Sequence, residues 1–150
     1  MKKVFLFLVL TTIGFTINSC SSDNSSPTGI VTFKLNGVQK TLKIISVNEY
    51  KNLAGTANEY KQISVYASSR TVEGAVEFSF KKGDLGNIIS DFTYIVGGDV
   101  GYLKSSDFSG TVTANDDKKL IGTFSGHVGS SDGTDTNDLN ITEGMFNIQY

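Results

Sequence analysis

The sequence has few of the residues on which many catalytic and metal sites depend. Its 150 residues include one cysteine, one histidine, one proline and no tryptophan. A single cysteine excludes an internal disulfide, so stability must come from the core alone. A single histidine offers too few nitrogen and sulfur ligands for a transition-metal site. We therefore expect no cofactor and no enzymatic activity.

Positive charge is also scarce. The chain has 13 lysines and arginines against 15 aspartates and glutamates, and a formal net charge of −2. Loss of the first 19 residues would leave 11 basic residues against the same 15 acidic ones. Such a chain lacks the basic footprint of a nucleic-acid-binding protein, so no nucleic-acid partner is expected.

The N-terminus has the pattern of a secretory signal peptide. Lys2 and Lys3 precede an apolar run that ends near Phe15. This run is about a dozen residues, short of the roughly 20 that span a bilayer. We interpret residues 1–19 as a signal peptide removed before Cys20. Cleavage that leaves a free thiol, and a retained short helix, are the alternatives.

The segment that ends at Cys20, Ile17-Asn18-Ser19-Cys20, resembles a bacterial lipoprotein lipobox. The resemblance implies a lipidated Cys20 and a membrane partner through that lipid. Several acyl chains on one residue would make the anchor effectively permanent. Residues 20–28 then form the lipidated cysteine and a flexible tether, whose small polar residues would span roughly 25 Å when extended.

Composition and periodicity predict β structure after the tether. The chain has 16 glycines, 10 phenylalanines and 6 tyrosines, and β-favouring residues dominate over strong helix formers. Asn36-Gly37 between alternating runs predicts a tight hairpin. The segment 48–58 stays open between a helical turn and an irregular crossover. Apolar and polar residues alternate over 29–35, 38–47, 60–68, 76–81, 92–96, 108–114, 120–128 and 141–150.

This pattern predicts one all-β domain over residues 29–150. Strict alternation gives each strand one dry and one wet face, which suits antiparallel sheets. We expect an antiparallel β-sandwich of about eight strands, with a lipocalin-like β-barrel as the alternative. Glycines inside the predicted strands, at Gly110, Gly122 and Gly126, indicate bends or bulges.

Candidate sites are few. The wet face of one predicted strand carries Gln62, Ser64, Tyr66 and Ser68, which we take as candidate ligand contacts. Tyrosines can stack on sugar rings, although ordinary sheet tyrosines are far more common. The candidates for such stacking are Tyr50, Tyr60, Tyr66, Tyr94 and Tyr102, of which Tyr66 is the one predicted on a wet face. His127 would need a nucleophile and an orienting acid to act in catalysis, and no nucleophile-elbow motif is present.

The acidic loop that contains Asp132, Asp135 and Asp138 is a weak calcium candidate. Oxygen ligands at short spacing suit a hard cation, but the spacing is not that of an EF-hand. These residue types are also ordinary turn formers, so a solvated loop is the competing interpretation.

Four segments near the two ends of the chain form a recognisable set. They are the leader with CSSDNSS, TFKLNG at 32–37, GTVTANDDKKLIGTFSG at 110–126 and ITEGMFNIQY at 141–150. Together they resemble small, mostly uncharacterised lipoproteins of the Bacteroidota. The resemblance implies an all-β domain in the cell envelope, held at the outer membrane and facing the periplasm or the cell surface. It carries no catalytic residues to transfer.

The leading functional hypothesis is therefore a lipid-anchored envelope domain with a binding or scaffolding role. Its partner would be an envelope protein, a glycan or a small ligand. The first alternative is a lipocalin-like carrier of a small apolar ligand, and the second is an envelope hydrolase that uses His127. The sequence does not distinguish ligand, leaflet or oligomeric state.

Overall fold

The computed structural model describes residues 26–69, 74–87, 89–97, 100–130 and 138–150. Within these ranges the chain forms β-strands and no helix, as the alternation predicts. The strands are β1 (Thr28–Leu35), β2 (Val38–Asn52), β3 (Tyr60–Ser68), β4 (Ala75–Lys81), β5 (Gly86–Asn87), β6 (Asp91–Val96), β7 (Val100–Lys104), β8 (Ser109–Asn115), β9 (Lys119–Ser130) and β10 (Leu139–Gln149).

The strands close into an eight-membered antiparallel ring. Its order is β1, β2, β3, β4, β6, β7, β9 and β10, and β10 pairs with both β9 and β1. The expected β-sandwich is therefore wrong, and the closed barrel named as its alternative is correct. The physical reason is the pairing of the last strand with the first, which removes both free edges of a single sheet.

Two positions of the ring are filled by interrupted strands. Both β7 and β8 pair with the same side of β9, β7 against its last residues and β8 against its first ones. The short β5 pairs with β8, while β6, which follows it, pairs with β7. Apart from the closing pair of β10 with β1, neighbouring positions around the barrel are thus filled by successive segments of the chain, which makes the fold an up-and-down meander.

The inward side chains fill the barrel with aromatic rings. The ring centroids of Phe78 and Phe146 lie 5.1 Å apart, and those of Phe92 and Phe124 lie 5.2 Å apart. Such spacings are typical of packed aromatic pairs. An eight-stranded barrel is just wide enough for side chains to fill it. The fully buried phenylalanines are Phe33, Phe78, Phe80, Phe92 and Phe146.

Most predicted strands are present, with changes at their ends. The hairpin turn is confirmed, since Asn36 and Gly37 have φ values of 48° and 82° and Leu35 pairs with Val38. The segment 48–58 is neither helical nor wholly irregular, because β2 continues to Asn52. The sequence pattern missed β5 and β7, and it placed the end of β9 too early.

The glycines of the late strands make room for neighbouring side chains as well as for bends. A Cβ on Gly122 would lie 2.4 Å from Cζ of Phe146, its cross-strand neighbour. A Cβ on Gly110 would lie 2.1 Å from Cδ1 of Ile89. Only Gly126 of the three predicted bends has a positive φ, of 134°. Close packing is therefore the main reason for glycine at Gly110 and Gly122.

Candidate functional site

A shallow polar groove crosses the outer wall of the barrel over β2, β3, β4 and β6. Its volume is about 410 Å³, which lies in the range of small-ligand sites. Its lining consists almost entirely of outward-facing side chains from the end of β2, the start of β6 and the parts of β3 and β4 between them. They are Tyr50, Asn52, Gln62, Ser64, Glu77, Ser79, Asp91 and Thr93, with Phe78 beneath them.

A β-bulge in β2 brings two of these residues to the outside. The β2–β3 register shifts between Ile44 and Ser46. Before the shift the even-numbered Leu42 and Ile44 are buried in the core. After it the alternation is reversed, because a bulge adds one residue to the strand. Tyr50 consequently faces outward, directly opposite Gln62.

A chain of hydrogen bonds fixes the floor of the groove. The Asn52 amide donates to Oε1 of Gln62. Nε2 of Gln62 donates to Oγ of Ser79 at 2.8 Å, and that hydroxyl donates to Oδ2 of Asp91 at 2.9 Å. Ser79 is only 6% exposed, and a buried, fully bonded polar group is held in one orientation. The amide and carboxylate groups of this floor are therefore preorganised.

The groove presents mostly hydrogen-bond acceptors and negative charge. Glu77 and Asp91 both line it, and Oε1 of Glu77 accepts a hydrogen bond from the Ser64 hydroxyl at 3.2 Å. Ionised carboxylates accept hydrogen bonds and donate none. Among the residues that the structure describes, no lysine or arginine lines the groove. The groove is therefore suited to ligands that bring donors and carry no negative charge.

An ion-pair cluster supports the end of β2 that carries Tyr50. Glu49 contacts Nζ of Lys82, and Lys82 also donates to Oδ1 of Asp117 at 2.7 Å. Burial lowers the pKa of Lys82, but its hydrogen bonds to Asp117 and Glu49 outweigh this effect and raise the pKa. The charged amine thus ties β2 to the β4–β5 and β8–β9 turns.

The four predicted contact residues all lie on the outer face of β3, and each is half-buried. Gln62 and Ser64 line the groove, whereas Tyr66 and Ser68 lie farther along the strand, outside its lining. Tyr50 was among the tyrosines considered for sugar stacking but was assigned to no strand, and Asn52 was missed, because their segment was left open. The prediction also missed Glu77, Ser79 and Asp91, of which the first two occupy the wet side of a predicted strand.

His127 lies apart from this groove and is paired with an acid. Its Nδ1 and Oδ2 of Asp107 are 2.5 Å apart, and its backbone N–H donates to Oδ1 of the same residue at 3.4 Å. The hydrogen bond raises the pKa of His127 and lowers that of Asp107. Both side chains are about half exposed. A carboxylate on Nδ1 is one of the two contacts that a catalytic histidine needs.

This pair should make stability depend on pH. The folded pKa of His127 lies above 6.5, so its contribution is complete below pH 6.5 and is lost as the pH rises through the folded value. The folded pKa of Asp107 lies below 3.8, so its contribution is lost in acid. In urea unfolding, we expect His127→Gln to destabilise the protein more at pH 5 than at pH 9.

The matched measurement is an NMR titration of the His127 ring. In the Asp107→Asn variant its pKa should return towards 6.5, whereas Asp138→Asn, which removes a weaker electrostatic contribution, should change it less. Equal destabilisation by His127→Gln at both pH values would contradict the assigned pairing.

The calcium candidate is only partly within the described structure. Asp132 and Asp135 lie outside the described residues, while Asp138 is exposed beside Gly129 and close enough to His127 to raise its pKa. Among the residues that are described, no cluster of three or more His, Cys, Asp or Glu side chains could hold a metal ion.

A second outer surface covers β1, β8, β9 and β10. Two adjoining grooves of about 560 and 710 Å³ share Thr32, Thr123 and Met145. These three residues are successive cross-strand neighbours, and Met145 is 56% exposed. Nothing on this surface indicates what would cover it, so it is suited to be a control face for substitutions.

The leader, Cys20 and the first part of the tether lie outside the described residues. Within the described ranges there is no helix of the length and apolar character needed to cross a membrane. Scans against protein-family models, curated proteins and solved structures found no match for this chain.

Proposed function

We propose that this protein is a lipid-anchored domain of the cell envelope that binds a ligand, without catalysis, on the outer wall of its barrel. The observation that carries the proposal is the preorganised groove around Gln62 and Ser79. Polar side chains that are already held in one orientation lose little freedom on binding. Lipidation of Cys20 would hold this wall close to a membrane surface.

The packed interior supports binding on the outside over the carrier alternative. Barrels that carry a small apolar ligand keep a central space for it. Here the axis is occupied by phenylalanine rings such as Phe78, Phe124 and Phe146, each at most 3% exposed. A ligand inside would have to displace these rings, at a cost of several kcal/mol for each large core side chain.

The hydrolase alternative rests on a different part of the wall. The Asp107–His127 pair provides an oriented base, but neither residue lines the groove. Binding in the groove and chemistry at His127 would therefore be separate activities, and variants can test them independently.

Capture of envelope material by the immobilised mature protein tests the proposal. We expect Gln62→Ala and Ser64→Ala to weaken capture about tenfold each, since one lost hydrogen bond contributes about 1.5 kcal/mol. Thr123→Ala and Met145→Ala, on the control face, should leave capture unchanged. Capture that survives both groove substitutions would contradict the proposal, as would a hydrolytic activity that His127→Ala abolishes.

A further inference from the structure

We infer that the ligand of the groove is a neutral saccharide, one ring of which packs against the face of Tyr50. This inference rests on the proposed function, because it names the class of ligand that the groove would hold. Three independent properties of the groove support it: an exposed aromatic ring, a fixed set of acceptors and the absence of cationic residues from the described lining.

The aromatic ring comes first. Tyr50 is 53% exposed although it belongs to a strand that is paired with β3 along this stretch. A tyrosine ring offers an apolar face that can cover the C–H face of a sugar ring while its hydroxyl stays in water. Tyr50 lies opposite Gln62 in the β2–β3 register. The ring therefore flanks the hydrogen-bonding floor, as a sugar site requires.

The fixed acceptors come second. The side chains of Glu77 and Asp91 each already accept one hydrogen bond from a serine hydroxyl. A carboxylate has four lone-pair sites, so further acceptor capacity remains on both. Sugar hydroxyls are donors as well as acceptors. A polyhydroxyl ligand can therefore satisfy these carboxylates together with the amides of Asn52 and Gln62.

The charge of the lining comes third. In the described part of the lining there are two carboxylates and no lysine or arginine. These carboxylates repel phosphate, sulfate and uronic acid groups. Lys81 lies opposite Gln62 in the β3–β4 register, and its amine lies 3.9 Å from a carboxylate oxygen of Asp84 and 5.8 Å from the ring centroid of Tyr60. Acidic polysaccharides are thus excluded, and neutral ones are left.

Affinity electrophoresis in gels that contain dextran, mannan, xylan or polygalacturonate tests this inference on the mature protein. We expect at least one neutral polysaccharide to retard the protein, and polygalacturonate to have no effect. Tyr50→Ala should weaken the interaction at least tenfold, whereas Tyr50→Phe, which keeps the ring, should retain it. Met145→Ala, an exposed substitution on the control face, should behave as the unaltered protein does.

Several outcomes would overturn the inference. These are the absence of retardation by all three neutral polysaccharides, stronger retardation by polygalacturonate, or retardation that Tyr50→Ala leaves intact. Circular dichroism of Tyr50→Ala would confirm that the loss is local. Periodate treatment of the envelope extract separates this inference from the proposed function. Groove-dependent capture that survives periodate would sustain a binding groove and overturn the saccharide, for instance in favour of a cationic peptide.

Discussion

Replacing Phe124 with alanine is expected to lower the free energy of unfolding by about 3–5 kcal/mol. Phe124 is 3% exposed, and its ring centroid lies within 6.5 Å of those of five other phenylalanines. Its ring also covers Gly144 on β10, where a Cβ would lie 2.5 Å from its Cδ2 atom. The substitution would therefore open a cavity on the barrel axis that the surrounding rings cannot fill completely.

Urea unfolding followed by circular dichroism would measure this loss, provided that the slope of the free energy of unfolding against urea concentration is the same in both proteins. Met145→Ala is the matched control, because the adjacent strand presents Met145 to solvent, and we expect a change within about 0.5 kcal/mol. A loss below about 1 kcal/mol at Phe124 would mean that the interior is loosely packed. Such a result would support the alternative in which the barrel carries a small apolar ligand inside.

Adding a single methyl group at Gly122 should be almost as damaging. A Cβ there would lie 2.4 Å from Cζ of Phe146 and 2.5 Å from the carbonyl oxygen of Thr111. The second contact is with backbone, so a change of rotamer cannot relieve it. We expect Gly122→Ala to lower the free energy of unfolding by about 3 kcal/mol, at the upper end of overpacking effects.

Two comparisons distinguish this steric cost from a general cost of replacing glycine. Gly83, in the β4–β5 turn, has a φ of 86°, and no atom lies within 4 Å of the place that an added methyl group would take. Gly83→Ala should therefore cost only the conformational strain of about 1–2 kcal/mol. Combining Gly122→Ala with Phe146→Leu should be less damaging than the sum of the two. Strict additivity would show that the ring contact is not the cause.

Local features of this fold were predictable from short segments of sequence. The Asn36-Gly37 turn depends on two residues that tolerate positive φ, and Val31 and Phe33 alternate with polar neighbours on the strand before it. By contrast, β7 was missed because Val100 and Leu103 are both exposed apolar residues, 38% and 50% respectively. They break the alternation by which strands are recognised.

Closure of the sheet was not predictable in the same way. One dry and one wet face per strand satisfies a sandwich as well as a barrel, so the periodicity of Phe146, Ile148 and their neighbours fits both. The barrel is selected by the pairing of Val31 with Phe146. Contacts between residues so far apart in sequence leave no signature in a local pattern.

The groove residues also divide into those that a local sequence pattern predicts and those that depend on distant strand pairing. Gln62 and Ser64 were found because they follow the alternation of a regular strand. Tyr50 and Asn52 were assigned to no strand, and extending the alternation of β2 to them would have placed them on the inner face, because the bulge between Ile44 and Ser46 reverses the inward and outward positions. A one-residue insertion of this kind exchanges the two faces of everything that follows it. The bulge in β2 can be identified only when the register with its partner strand β3 is known.

The pairing of β1 with β10 also has a consequence for biosynthesis. The ring cannot close until β10 has left the ribosome, and before then β1 and β9 each lack a neighbour that they have in the finished barrel. The closing pair joins the two ends of the chain, and pairings between residues so far apart form slowly. Late closure of this kind is compatible with passage through a translocation channel, which admits chains in extended form.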